Sequence, residues 1–243
     1  MQQNDITRTL TGAVVLVTGA NGGLGEEFVT QALARGAAKV YATARSPREW
    51  NDERIVALHL DVLDPASIEA AAARAADTNV VINNAGITRR NDLVSAPIAE
   101  VREIFEANFF GALTIAQQFA PVLERNGGGV LLNVASVLSW TGIGNAYSAS
   151  KAALWSATNT LRLELAPRGT LVVGLHLGYT KTGMTVGIEA EMNDPADVVR
   201  VAYDGIEAGA YEVLADDVTR HVKSTLSGSI EQQYPQLAAN VAV

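Results

Sequence analysis

The chain has no cysteine, which excludes disulfides, thiolate metal sites and cysteine nucleophiles while leaving the redox compartment open. Long apolar runs are absent too. Gly, Asn or Ser interrupts each one well short of bilayer-spanning length, so no transmembrane helix is expected. Positive charge is scarce: 18 Lys and Arg face 26 Asp and Glu, giving a formal net charge of -8. That balance argues against a nucleic-acid or anionic-membrane surface and leaves only a local basic pocket to favour a phosphate. His59, His176 and His221 are scattered without metal-ligand spacing, so metal-free chemistry is expected. Residues 1–10 are polar and lack the basic start and apolar core of a secretion signal, which reads as a cytoplasmic protein.

What is present is a hydrophobic fraction of 48% and a charged fraction of 18% over 243 residues, enough for one α/β domain with a large core. No repeat, low-complexity tract or Pro- or Ser-rich linker divides the chain, so one domain is expected over 1–243. Residues 228–243 read as a tail that packs on a neighbour or stays mobile. Short β-branched runs alternate with segments of helical period. Strands are expected at 13–17, 39–43, 55–60, 80–83, 130–134, 171–176 and 211–214. Helices are expected at 24–34, 65–75, 98–124, 146–166 and 195–207, with a weaker one at 217–226. Right-handed crossovers wind such a chain into a Rossmann-type, doubly wound, seven-stranded and mostly parallel sheet with helices on both faces. Ligands then bind at the strand C-termini.

The first strand runs into Thr18-Gly19-Ala20-Asn21-Gly22-Gly23-Leu24-Gly25 and then a helix, the context of a dinucleotide-binding turn. Glycine permits positive φ and close backbone approach to a pyrophosphate, and the following helix offers free N–H groups and a favourable dipole. The turn fits two spacings, through Gly19, Gly23 and Gly25 or through Gly19, Gly22 and Gly25. The second strand ends in Thr43-Ala44-Arg45-Ser46, with no acid where NAD-preferring proteins place one. Arg45 can pair with a 2′-phosphate, with Ser46 adding a hydroxyl; alternatively Arg45 is an ordinary solvated charge. NADP(H) is therefore expected over NAD(H).

Tyr147 and Lys151 lie four residues apart at the start of an expected helix and share one face. A phenol titrates near 10, and bringing it to about 7 means favouring phenolate by roughly 4 kcal/mol. A close ammonium, together with an oxidised nicotinamide ring, has the right sign in a site shielded from water. Tyr147 is thus a candidate general acid and base.

The glycine turn, Asn83-Asn84-Ala85-Gly86 after the fourth strand, a Ser after the fifth and the Tyr-x-x-x-Lys helix follow one another over residues 13–184. In that order the chain resembles the short-chain dehydrogenase/reductase family, in its shorter single-domain branch. The resemblance implies that Asp61, with Val62 beside it, contacts the adenine and that Asn83, Asn84, Ala85 and Gly86 shape the nucleotide cleft. It implies that Asn108 completes a proton relay with Lys151 and that Ser136 holds the substrate oxygen. It also implies that Gly178, Thr180 and Thr182 line the cofactor. Each has a blander reading: Asp61 a turn cap, Asn108 a satisfied buried amide, Ser136 a strand-end hydroxyl. The implied reaction is hydride transfer between NADP(H) and a ketone, aldehyde or secondary alcohol. Self-association into a dimer or tetramer through the helices at 98–124 and 146–166 is implied as well.

The chain departs from the family pattern at several points. Ser136 lies about two residues closer to the Tyr than usual, which makes Ser139 a competitor. Leu177-Gly178 replaces the usual Pro-Gly, the segment after Thr182 leaves a small lid, and the Gly-rich C-terminal end is missing. Trp140, Ile143, Tyr179 and Met184 form either an apolar substrate wall or packing contacts. Two other functions stay open: a sensor or scaffold that binds NADP(H) without turnover, and an isomerase or epimerase using transient oxidation.

Overall fold

A strand covered on both faces is apolar at every position rather than at alternate ones. Val14–Thr18 (β1), Val80–Asn83 (β4), Gly129–Val134 (β5) and Thr170–His176 (β6) are of this kind and are buried almost throughout. In the computed structural model, which describes residues 8–90 and 92–239, they form the centre of a seven-stranded sheet. Lys39–Ala44 (β2), Ile55–His59 (β3) and Glu212–Leu214 (β7) complete it. The order is β3-β2-β1-β4-β5-β6-β7, and every pairing is parallel. The winding direction reverses between β1 and β4, so a crevice opens at the C-terminal ends of these two strands.

Helices cover both faces. Gly23–Ala34 (α1) and Pro195–Glu207 (α6) pack on one face, where Phe28 meets Tyr203 edge-on at 5.5 Å and the Tyr203 hydroxyl donates to the Phe28 carbonyl. Pro65–Arg74 (α2), Ala112–Arg125 (α4) and Asn145–Leu165 (α5) bury Ile68, Phe119, Leu123 and Leu161 on the other. The helix expected over 98–124 is broken: Ile98–Phe105 (α3) passes through a wide π turn, Glu106–Gly111, before α4 begins. Gly111 makes this possible, because a Cβ there would sit 2.8 Å from the Val62 carbonyl oxygen.

Asp217–Ser224 (α7) follows β7. The segment expected as a tail contains two short helices, Ile230–Gln233 (α8) and Pro235–Ala239 (α9), and is seated on its own chain. The Tyr234 hydroxyl accepts the Gly142 N–H at 2.9 Å. Residues 1–7 of the polar N-terminus, and 240–243 of the tail, lie outside the described residues. No helix of the described residues is long and apolar enough to cross a membrane.

Candidate active site

The crevice is a cleft of about 1310 Å³ running from Arg45 across the glycine turn to Tyr147 and Met184. That volume exceeds an ordinary small-molecule pocket of roughly 300–1,000 Å³ and has room for a dinucleotide with a substrate beside it. At the turn, Gly19 and Gly23 hold φ of 67° and 55°, values that L side chains adopt only with strain. Gly22 is extended and meets no close neighbour. The positive-φ positions are therefore Gly19 and Gly23, the first of the two spacings. Gly25 faces away from the cleft; a Cβ there would sit 2.1 Å from the Gly19 carbonyl oxygen, so it closes the turn rather than lining it. No side chain caps α1, whose N-cap is Gly22, and Gly22, Gly23 and Leu24 line the cleft. A bare helix N-terminus in a long groove fits a pyrophosphate.

Around the turn, buried Thr18 accepts the N–H groups of Asn84 and Ala85 at 3.0 and 2.9 Å, and Asn84 returns its amide to the Thr18 carbonyl at 2.9 Å. This ties the end of β1 to the loop after β4. Arg45 and Ser46 line the cleft at the end of β2. Their loop is braced by Asn21, which donates to the Ser46 carbonyl at 2.7 Å, and by His59, 2.8 Å from the Arg45 carbonyl. Asp61 and Val62 line the same end, where Asp61 also accepts the Leu63 N–H.

At the other end, Tyr147 and Lys151 enter the cleft from α5, and Ser136 from the loop after β5. The Ser136 hydroxyl faces the Tyr147 phenol and favours its phenolate, and it accepts the Leu138 N–H at 3.1 Å. Lys151 Nζ lies 5.6 Å from the Tyr147 ring centre and donates to the Val134 carbonyl at 2.7 Å. Burial pushes the phenol up to about 12, against the pull of the Ser136 hydroxyl. Burial pulls the Lys151 ammonium down to about 8. The phenol thus rests protonated at neutral pH; the value near 7 is expected from the Lys151 ammonium together with an oxidised nicotinamide ring, and the protein alone does not offset the phenol's desolvation. The Ser139 hydroxyl is buried without a hydrogen-bond partner among the described residues and does not line the cleft, so Ser136 is the serine that faces it.

Two further expected residues take supporting positions. Asn83 is buried beneath the cleft floor and donates to the Ala112 carbonyl and the Asn133 amide oxygen. Asn108, in the π turn, exchanges hydrogen bonds with Ile87 N–H and C=O at 2.8 and 2.9 Å and donates to Ser150 at 3.0 Å. It reaches the site through Gly86, where a Cβ would lie 3.0 Å from Asn108 Oδ1 and 3.8 Å from Lys151 Nζ. Trp140 is a correction. It does not line the cleft; its indole turns inward and stacks on His176, because the shortened loop after Ser136 runs directly over the end of β6. Ile143, Tyr179 and Met184 do line the cleft and are exposed, with Leu138 and Ile188 beside them.

Gly178, Thr180 and Thr182 line the cleft after β6. Thr182 leans across it: a Cβ on Gly23 would be 3.1 Å from its methyl. The loop 179–193 closes at its base, where Asn193 N–H donates to Tyr179 and Lys181 N–H donates to Asn193. Asp216 pins this base, accepting Gly178 N–H at 2.7 Å, the Asn193 amide at 2.6 Å and Thr219 N–H at 2.8 Å. Sequence reading missed Asp216, Thr18, His59 and His176; the capping pattern Asp216-x-x-Thr219 was the one available signal, for the first of them.

A nucleotide groove over a parallel sheet that ends at a Tyr–Ser–Lys cluster defines a dinucleotide-dependent oxidoreductase class. The model of the short chain dehydrogenase family matches residues 13–193, and the chain belongs to that family. It is 30% identical over 230 residues to the ketoacyl reductase HetN of Nostoc sp., covering 86% of this chain and 80% of the relative. A short chain dehydrogenase from Burkholderia cenocepacia, solved in complex with NADP, matches with a TM-score of 0.87 and 31% identity over 97% of this chain and 100% of that one. The NADPH-bound carbonyl reductase from chicken fatty liver matches at 0.77 and 27%, over 87% and 98% of the two chains.

Proposed function

We propose that the chain is, over its whole length, one domain of an NADP(H)-dependent carbonyl reductase, reversible as an alcohol dehydrogenase, acting on a ketone, aldehyde or secondary alcohol. The observation that carries this reading is the gathering of Tyr147, Ser136 and Lys151 at one end of the cleft, with Lys151 Nζ 5.6 Å from the Tyr147 ring centre. When bound, the nicotinamide supplies or takes up the hydride. Ser136 and Tyr147 together hold the substrate oxygen, so the carbonyl carbon is polarised towards attack. Tyr147 gives its phenolic proton to the oxygen as negative charge develops there, and the Lys151 ammonium offsets the charge left on the phenolate. In the oxidative direction the same phenolate accepts the alcohol proton.

Arg45, free of an acidic neighbour on its own strand end, supports a 2′-phosphate, as do the NADP- and NADPH-bound relatives. The apolar wall of Leu138, Ile143, Tyr179, Met184 and Ile188 supports apolar substituents on the carbonyl. Exposed Ile98, Phe110 and Leu163 on the helices flanking the cleft support burial against a second copy. Consumption of NADPH and NADH measured against a panel of ketones, aldehydes and keto esters tests the reading. Turnover with NADPH well above NADH is expected; tight cofactor binding without turnover on any carbonyl would replace it with a sensor.

A further inference from the structure

Behind Ser136, away from the cleft, β6 ends in His176, a fully buried imidazole to which the proposed chemistry assigns nothing. Its ring lies on the Trp140 indole, with centroids 4.0 Å apart and planes within 16°. Trp140 meets Trp155 edge-on at 6.3 Å, and Lys223 Nζ lies 4.8 Å over the Trp140 ring while paired with Glu212 at 2.7 Å. His176 Nδ1 is 3.0 Å from the Ser136 carbonyl oxygen. A carbonyl oxygen only accepts, so Nδ1 carries the proton. Nε2 then presents a lone pair with no hydrogen-bond partner among the described residues, 3.6 Å from Glu212 Oε1, a contact that is no ion pair while the ring is neutral. Burial favours the neutral ring, and Lys223 and Arg162 act in the same direction, against the Ser136 carbonyl and the charge of Glu212.

A buried nitrogen without a partner is a cost in an otherwise apolar strand, and its retention points to what the other nitrogen does. Ser136 is held on every side. The flanking Ala135 and Val137 N–H groups donate to Leu175 and Leu177 of the β6 end, Ser139 N–H and His176 Nδ1 fill both lone pairs of its carbonyl, and Leu138 N–H fixes Oγ. Among the described residues, His176 is the one side chain that bonds the Ser136 carbonyl. We propose that His176 is a positioning residue: its Nδ1–H, clamped in plane by Trp140, fixes the Ser136 peptide and so aims the Ser136 hydroxyl at Tyr147. The role rests on the carbonyl-reductase reading for its effect on rate; the hold on Ser136 rests on geometry, and its effect on Tyr147 on the influence of the Ser136 hydroxyl on the phenol.

Two substitutions separate the hydrogen bond from the ring. His176→Asn keeps a donor near the Nδ1 position and loses the stack; His176→Phe keeps the stack and loses the donor. With circular dichroism and NADPH binding as checks of fold, kcat should fall roughly 10-fold or more in His176→Phe, as expected when a reacting group is misplaced by a fraction of an ångström, and stay within about 3-fold in His176→Asn. The Tyr147 phenol, titrated by ultraviolet difference between each protein and the same protein carrying Tyr147→Phe, needs no turnover. Its midpoint should rise in His176→Phe as the Ser136 hydroxyl loosens, and hold in His176→Asn. Unchanged kcat and titration in a folded His176→Phe protein, or loss of both in a folded His176→Asn protein, would overturn the proposal. Should His176→Phe not fold, His176→Asn decides alone. A wild-type protein inactive on every carbonyl sinks the functional reading, and the phenol titration still decides the positioning.

Discussion

At the residue scale, Tyr147 and Lys151 are displaced in opposite directions by the same cause. Burial disfavours phenolate and ammonium alike, so the acid is weakened while the base is brought to about 8. In the proposed reaction, reduction needs a protonated Tyr147 and a charged Lys151. Because the Tyr limb lies near 12 and the Lys limb near 8, the lower one governs: kcat/KM for reduction should be level at neutral pH and fall as pH rises through about 8. In Lys151→Arg the limb should move beyond the measurable range, since guanidinium stays charged; a limb unmoved by that change would assign it elsewhere. The same shift acts on stability. Between about 8 and 10.5 the unfolded chain holds the Lys proton that the folded chain has released, so stability attributable to Lys151 rises with pH over that interval. The two serines offer a sharper contrast. Ser136→Ala should lower kcat on the order of 10²-fold, the usual loss when one donor to a reacting oxygen is removed. Ser139→Ala, which removes a buried hydroxyl with no partner, should leave the rate near wild type. Equal losses in the two variants, read from steady-state kinetics, would contradict the geometry.

At the scale of elements, the site is an agreement between loops that the sheet brings together. Asp216 holds the Gly178 turn, the base of the 179–193 loop and the first turn of α7 through three short bonds to one carboxylate. Asp216→Ala should cost about 1–3 kcal/mol of unfolding free energy, measured by denaturant melts, and raise KM for the carbonyl more than for NADPH. A KM pattern identical to wild type would show that the loop needs no pin. What was legible in the sequence follows the same division. The glycine turn, the Tyr147–Lys151 spacing and the strand ends depend on neighbours a few residues away, and they stand where expected. The inward turn of Trp140, the Asp216 clamp and the His176 bond join residues about 40 positions apart in sequence. They exist because β5, β6 and β7 end side by side, which local periodicity does not encode. The break at Glu106–Gly111 was hidden for another reason: a π turn keeps the helical period on both sides, and only the demand of Ile87 for a partner in Asn108 reveals it.

At the scale of the whole molecule, the cleft joins the glycine turn of α1 to the Thr182 segment after β6, two sides so close that a Cβ on Gly23 would sit 3.1 Å from the Thr182 methyl. A dinucleotide laid between them binds the folded chain alone. Saturation at about 100 times its dissociation constant adds about 2.7 kcal/mol, which for a chain of this length raises Tm by roughly 5–10 °C. NADP should produce that shift in a thermal melt at concentrations where NAD does not, and Arg45→Asp should reverse the preference; equal shifts by both nucleotides would remove Arg45 from phosphate recognition. Turnover of the whole assembly nevertheless depends on one proton. The direct test is single-turnover reduction of a ketone by NADPH in wild type and Tyr147→Phe, with NADPH affinity measured in both. Affinity should be unchanged while the reduction rate drops by roughly 10²–10⁴, the span of one positioned acid. A Tyr147→Phe protein that reduced the ketone at a near wild-type rate would show that the proton comes from elsewhere.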